Sequence, residues 1–145
     1  MRGNPGGLLT AAVEVSQIFL AQSKVVVSIK ERAGEPTIFR SREPKPRRWP
    51  LVVLVDGGSA SASEIVAGVM QDLDRGVVIG RQSFGKGLVQ TVYNIDRNKA
   101  LKVTTAKYYI PSGRLIQKSG YLPEDILADT TEADSLFETV GGRVV

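Results

Sequence analysis

Apolar residues recur along the chain with two different periods, and these predict an order of helices and strands. Helical spacing predicts a first helix over residues 8–20 and a second over residues 63–73. Runs rich in β-branched residues at 24–30 and 37–40, separated by a turn with glycine and proline, predict two strands that pair as a hairpin.

A strand–helix–strand unit is predicted in the middle of the chain. Every residue of 51–55 is apolar, which is typical of a strand covered on both faces in a parallel sheet. The helix over 63–73 follows, Gly76 stops it, and residues 77–79 form the next strand. This βαβ unit predicts an α/β fold with helices packed on a mostly parallel, twisted sheet.

The second half of the chain predicts two more strands and a weakly patterned tail. Residues 88–95 and 100–110 are expected to form strands joined by a polar turn. Residues 121–125 are expected to form a loop, and residues 132–140 a short helix.

Composition restricts the chemistry of the chain. Its 145 residues, 42% of them hydrophobic, suit about one globular domain, and no apolar run approaches the roughly 20 residues that span a bilayer. We therefore expect no membrane insertion. There is no cysteine and no histidine, which excludes disulfides and thiolate metal sites and argues against a catalytic zinc site. A covalent nucleophile would have to be serine or threonine, with lysine as the leading base.

Much of the net charge of +4 lies in residues 40–50, which also contain three prolines. One interpretation is a patch that binds nucleic acid or an anionic membrane. The other is a solvated basic connector, which we favour because Trp49 alone offers a surface for base stacking. We therefore expect no nucleic-acid partner.

A serine-rich turn over residues 57–64 precedes the second helix, and Ser59, Ser61 and Ser63 compete as nucleophile. Ser61 and Glu64 fit the capping box S-x-x-E, which is the favoured interpretation of this turn by itself. The same geometry would suit a nucleophile at the open end of a sheet, beside the first free N–H groups of a helix.

A second glycine-rich turn contains Lys86. Residues 80–87 nearly match the phosphate-binding loop G-x-x-x-x-G-K-[ST], but Gly87 lacks the required hydroxyl and a strand follows instead of a helix. Lys86 is therefore either a solvent-facing turn lysine or a partly buried one. Burial would favour the neutral amine that a catalytic base needs, and Gln90 could orient that amine.

Taken together, these segments resemble the carboxyl-terminal processing peptidases, also called tail-specific proteases. The resemblance runs from residue 2 to about residue 125, and its motifs lie at 2–7, 58–65, 83–90, 100–109 and 111–114. Members of this family are serine peptidases with a Ser–Lys dyad and a ClpP/crotonase-like core. The resemblance implies that Ser61 is the nucleophile, that Lys86, 25 residues later, is the base, and that Gln90 assists it.

The resemblance also implies the groups around the dyad. The oxyanion donors would be the backbone N–H groups of Ala62 and Gly7. Glu64 would help to position the nucleophile without contacting the substrate, and it would also be the acidic residue of the capping box. The resemblance implies no metal site and no organic cofactor.

The family pattern further implies a partial peptidase core over residues 1–127 and a C-terminal tail over 128–145. Family members carry an upstream PDZ domain and a core strand before the glycine turn, so we expect a fragment truncated at the N-terminus. The start of the chain has no secretory signal pattern.

The expected function is that of a serine endopeptidase which cleaves proteins near their C-termini by acyl transfer, so its partners would be polypeptide C-termini. The alternative is a catalytically silent fragment that binds peptides or partners. By resemblance, the expected location is the bacterial periplasm or cell envelope.

Overall fold

The computed structural model describes residues 1–118 and 136–145. The helices and strands of these residues are α1 (Leu9–Gln17), β1 (Val25–Glu31), β2 (Thr37–Arg40), β3 (Val52–Val55), α2 (Ala62–Asp72), β4 (Val77–Gly80), β5 (Leu88–Asn94) and β6 (Ala100–Tyr109). Each corresponds to an element predicted from the sequence. Helix α1 ends three residues before the predicted boundary, at Gln17.

The strands form two sheets with different pairing. The larger sheet has the order β2-β1-β6-β5, and its neighbouring strands are all antiparallel. Strands β3 and β4 pair in parallel around the crossover helix α2, so the α/β class and the βαβ unit are confirmed. The larger sheet differs from the expected mostly parallel one because short turns link β1 to β2 and β5 to β6. Such turns permit only antiparallel pairing.

Helix α2 is the centre of the core. It is almost wholly buried, and it contacts α1, β1, β3 and β4. Val53 and Val55 of β3 are buried, whereas Val52 and Leu54 are about half exposed. The prediction that this strand is covered on both faces is therefore wrong for the described residues. Helix α2 covers one face, and the alternation follows from the pleat of the strand.

The basic segment after β2 is fixed to the body by Arg75. The Arg75 guanidinium donates to the carbonyl oxygens of Phe19, Arg47 and Trp49 at 2.8, 2.6 and 3.0 Å. The Arg47 N–H also donates to the carbonyl of Ile18 at 2.7 Å. These contacts agree with the connector interpretation.

The final residues form a tight turn at the C-terminal end of α2. Glu138 bridges to Val144, so residues 136–140 do not form the predicted helix. Gly142, with φ of +78°, reverses the chain here, and the Val140 N–H donates to the Asp72 carbonyl at 2.9 Å. Residues 132–135 of that predicted helix, and the predicted loop at 121–125, lie outside the described residues. No helix in the described part of the chain is long and apolar enough to cross a membrane.

Candidate active site

The serine turn lies between the end of β3 and the start of α2, and Ser61 is the residue before the helix. Its backbone has φ of +56° and ψ of −119°, a conformation that side-chain-bearing residues rarely adopt. Such strain is found at functional sites more often than elsewhere. The turn therefore has a feature that a helix cap does not require.

Burial separates the three candidate serines. Ser59 is fully buried, and its hydroxyl donates to the Met1 carbonyl at 2.9 Å and accepts the Asp56 N–H at 3.0 Å. Ser63 is also buried, and its hydroxyl has no partner among the described residues. Ser61 is partly exposed. Of the three serine side chains, it is the one that a substrate can reach.

Glu64 joins the serine turn to the lysine turn. Its side chain is buried, and one carboxylate oxygen accepts the backbone N–H of Ser61 at 2.7 Å and that of Lys86 at 2.9 Å. The other oxygen accepts the Ser83 hydroxyl at 2.6 Å and the Gly85 N–H at 2.7 Å. A buried carboxylate needs such donors to offset its lost hydration. The two turns are thus held together by one side chain.

This arrangement reconciles the two interpretations of the serine turn. The bond from the Ser61 N–H to Glu64 is the acidic half of the predicted capping box. The same carboxylate also binds the turn that contains Lys86. Ser61 therefore begins a helix and at the same time lies beside the lysine turn.

Lys86 and Gln90 lie in the lysine turn and at the start of the strand that follows it. Lys86 is partly buried and forms no salt bridge with any carboxylate that the structure describes. Gln90 is a partly buried residue of β5, next to a bulge at Val89. Among the described residues, no hydrogen bond joins the Ser61 hydroxyl to the Lys86 amine, or that amine to the Gln90 amide.

The two expected oxyanion donors line one cleft. Gly7 and Ala62 both border a cleft of about 120 Å³ whose other walls include apolar residues of α1 and α2, such as Ala12, Val15 and Val66. Neither the Gly7 N–H nor the Ala62 N–H has an acceptor within the described chain. Both N–H groups are thus available to an external oxygen.

Gly6 is a site residue that sequence reasoning missed in favour of its neighbour Gly7. Its φ is +100°, and a side-chain carbon there would lie 2.6 Å from the Ala60 carbonyl oxygen and 2.9 Å from the Ser61 Cβ. Only glycine combines this conformation with this close approach. The sequence feature that could have identified Gly6 is the pair Gly6-Gly7, since adjacent glycines often mark a close approach of the backbone to another segment.

Asp56 is a second missed residue, and it ties the N-terminal turn to the serine turn. Its carboxylate accepts the Gly3 N–H and the Gly58 N–H, each at 2.9 Å, and lies 3.6 Å from Arg2. The Gly3 N–H lowers the pKa of Asp56 below its usual value. Partial desolvation opposes this effect, while Gly58 and Arg2 lower the pKa further.

Tyr108, also missed, lies on β6 beside both turns. Its backbone N–H donates to the Gly87 carbonyl at 3.0 Å, and its side chain is buried. Burial raises the pKa of the Tyr108 phenol strongly, and the charge of Glu64 raises it further, whereas the nearby Ser61 side chain lowers it. No periodicity or motif distinguished this tyrosine from the adjacent Tyr109.

Comparison with known proteins identifies the family of this chain. The model of peptidase family S41 matches residues 1–127. A carboxy-terminal-processing protease of Bartonella bacilliformis is 44% identical over 128 residues, which are 88% of this chain and 30% of that protein. The chloroplastic carboxyl-terminal-processing peptidase 3 of Arabidopsis thaliana is 40% identical over 137 residues, which are 94% of this chain and 26% of that protein. The chain thus spans about 30% of the length of the curated relatives it matches.

Solved structures give the same result. A photosystem II D1 C-terminal processing protease matches with a TM-score of 0.73 and 39% identity, over 85% of this chain and 32% of that one. A lipoprotein from Streptococcus agalactiae matches with a TM-score of 0.61 and 14% identity, over 79% of this chain and 43% of that one, which shows a shared fold alone. With a family model that matches most of its residues, the chain belongs to peptidase family S41.

Proposed function

We propose that this chain carries the catalytic centre of a serine endopeptidase that cleaves polypeptides near their C-termini, with Ser61 and Lys86 as a Ser–Lys dyad. The observation that carries the proposal is the buried Glu64 carboxylate, which holds the backbones of Ser61 and Lys86 through one oxygen atom. The relatives' names, carboxyl-terminal-processing proteases, support the type of reaction.

In the proposed mechanism, the Ser61 Oγ attacks the carbonyl carbon of the scissile peptide bond. Lys86, as the neutral amine, accepts the serine proton and then donates it to the leaving amine, which departs with the new N-terminus. The resulting acyl ester on Ser61 is hydrolysed by a water that Lys86 deprotonates. The proton returns to Ser61 as the acid product leaves.

The surrounding groups have supporting roles in this mechanism. The free N–H groups of Ala62 and Gly7 bind the oxyanion, and the N-terminus of α2 favours the negative charge that develops there. Lys86 is partly buried and forms no salt bridge with a carboxylate among the described residues, so its amine is free to contact the Ser61 hydroxyl. The Gln90 amide orients the lysine amine.

Substrate and location follow from the relatives as part of the proposal. The partner is the C-terminal region of another polypeptide. The named relatives are bacterial or chloroplastic, and we propose the bacterial periplasm or cell envelope as the site of action. Fractionation of cells that produce the protein tests this, since recovery with a cytoplasmic marker would contradict it.

The direct test of the dyad is the turnover of a fluorogenic peptide with a free C-terminus by the full-length protein. Ser61→Ala and Lys86→Ala should each abolish cleavage while leaving the circular dichroism spectrum unchanged. Lys99→Ala, in the exposed turn between β5 and β6, is the matched control and should retain full activity. Cleavage by Ser61→Ala at the wild-type rate would refute the proposal.

A second candidate is the catalytically silent module that binds peptides. It is favoured by one observation, the absence of a hydrogen bond between the Ser61 hydroxyl and the Lys86 amine within the described residues. This candidate predicts peptide binding to the wild-type protein with no cleavage, and equal binding by Ser61→Ala. Turnover by the wild-type protein excludes it.

A further inference from the structure

The hydroxyl of Tyr108 is a buried polar group whose position calls for an explanation. Tyr108 is 2% exposed, and its hydroxyl makes no hydrogen bond of standard geometry among the described residues. A buried hydroxyl without a partner lowers stability, whereas a phenylalanine of the same shape would not. Packing therefore accounts for the ring of Tyr108 but not for its oxygen.

Tyr108 lies close to the segments that carry the proposed nucleophile and base. The Tyr108 backbone is bound to Gly87, the residue after Lys86. The Tyr108 side chain belongs to the same buried cluster as Ala62, the residue after Ser61. In agreement with this packing, the Ser61 side chain lowers the pKa of the phenol and the charge of Glu64 raises it. Because burial and Glu64 together favour the neutral phenol, the group remains a hydrogen-bond donor throughout the neutral pH range.

We propose that Tyr108 is a positioning residue whose phenol donates a hydrogen bond to the Ser61 Oγ when the substrate is bound. With that lone pair occupied, the serine hydrogen is directed toward Lys86. No proton leaves the phenol during the reaction. The serine proton still passes to the Lys86 amine, and the only new covalent bond joins Ser61 Oγ to the substrate carbonyl carbon.

This inference rests on the proposed Ser–Lys mechanism, and Tyr108→Phe tests it in the full-length protein. The variant should lose about tenfold in kcat, as expected for one neutral hydrogen bond, with KM changed by less than about twofold. Its melting temperature should stay equal or rise, because an unpaired buried hydroxyl is removed. Tyr93→Phe, at an exposed position of β5, is the matched control and should match the wild type in both kcat and melting temperature.

The outcomes separate this inference from the proposed function. If Ser61→Ala is inactive and Tyr108→Phe keeps the wild-type kcat, the positioning role is refuted and the dyad stands. If Ser61→Ala keeps its activity, both are refuted. A purely structural role predicts a lower melting temperature with an unchanged kcat for the folded fraction.

A second variant keeps the test decisive if Tyr108→Phe does not fold. Replacing Tyr108 by a ring-fluorinated tyrosine preserves shape and hydroxyl but makes the phenol ionise at lower pH. At a pH where the absorbance of this variant shows the fluorinated phenol to be ionised, its kcat should fall, because the phenolate cannot donate, whereas the wild type should keep its rate there. An unchanged kcat at that pH would overturn the proposal, as would a crystal structure with a bound peptide inhibitor in which the phenol contacts a group other than Ser61.

Discussion

The backbone N–H of Ser61 and the carboxylate of Glu64 are 2.7 Å apart, although Ser61 has a left-handed backbone conformation that ordinary helix caps do not need. Glu64 is 3% exposed and also binds the turn of Lys86. The conformation of Ser61 is therefore maintained by a buried charge that also determines where the lysine turn lies. Four predictions follow from this relationship and from the contacts around it.

Glu64→Gln should disrupt both turns. A glutamine offers one acceptor oxygen where the carboxylate offers two, and its amide group would face the N–H donors of Gly85 or Lys86. We expect a loss of about 2–3 kcal/mol in the free energy of unfolding and a large loss of peptidase activity. Urea denaturation measures the first effect. Glu14→Gln, on the exposed side of α1, should change neither quantity.

Ser61→Gly and Ser61→Ala should both be inactive but should differ in stability. Both changes remove the hydroxyl, but glycine adopts the left-handed conformation of residue 61 without strain, whereas alanine retains the strain. The glycine variant should unfold with a free energy about 1 kcal/mol higher than that of the alanine variant. Equal stability of the two in chemical denaturation would mean that the backbone of this turn is unstrained.

Gly6→Ala should be much more harmful than Gly7→Ala. A methyl group at Gly6 meets the Ala60 carbonyl oxygen at 2.6 Å, whereas one at Gly7 has no atom within 4 Å. We expect a loss of about 2 kcal/mol or more for the first change and less than about 1 kcal/mol for the second. Thermal unfolding of the two variants side by side tests this. The reverse order would contradict the close packing of Gly6 on the serine turn.

Asp56 should contribute stability that depends on pH. Its pKa in the folded state is below the ordinary value of 3.8, so its contribution is present above that value and is lost as the pH falls through the folded pKa. Asp56→Asn should therefore be less stable than the wild type at neutral pH, and the difference should vanish as the pH falls through the lowered pKa of the folded state. Urea denaturation at neutral and at acidic pH gives the difference. A constant difference would show that the charge of Asp56 has no role.

Local patterns predicted the elements of the fold well, because periodicity and turn residues act over a few positions. The strand at Thr37–Arg40 and the helix after Ser61 follow directly from such signals. The pairing of β1 with β6 joins Ile29 to Tyr108 across the chain, and local pattern carries no information about such a contact. The joining of the two strand pairs into one antiparallel sheet was missed for this reason.

In the candidate site too, local contacts could be predicted from the sequence and long-range contacts could not. The capping pattern predicted that Glu64 would bind Ser61, since the two residues are three positions apart. The bonds from Glu64 to Ser83, Gly85 and Lys86 span about 20 residues and depend on the tertiary fold. Tyr108 approaches Ser61 from a strand 47 residues away in sequence, so only the structure could identify it.

The most direct measurement of the central claim is the site at which a serine-directed covalent probe modifies the full-length protein. We would treat the protein with a fluorophosphonate, digest it and locate the adduct by mass spectrometry. The account predicts one adduct, on Ser61, and no adduct there in Lys86→Ala, because the lysine amine is needed to activate the hydroxyl. An adduct on Ser59 or Ser63, or equal labelling of Ser61 without Lys86, would contradict a Ser61–Lys86 dyad.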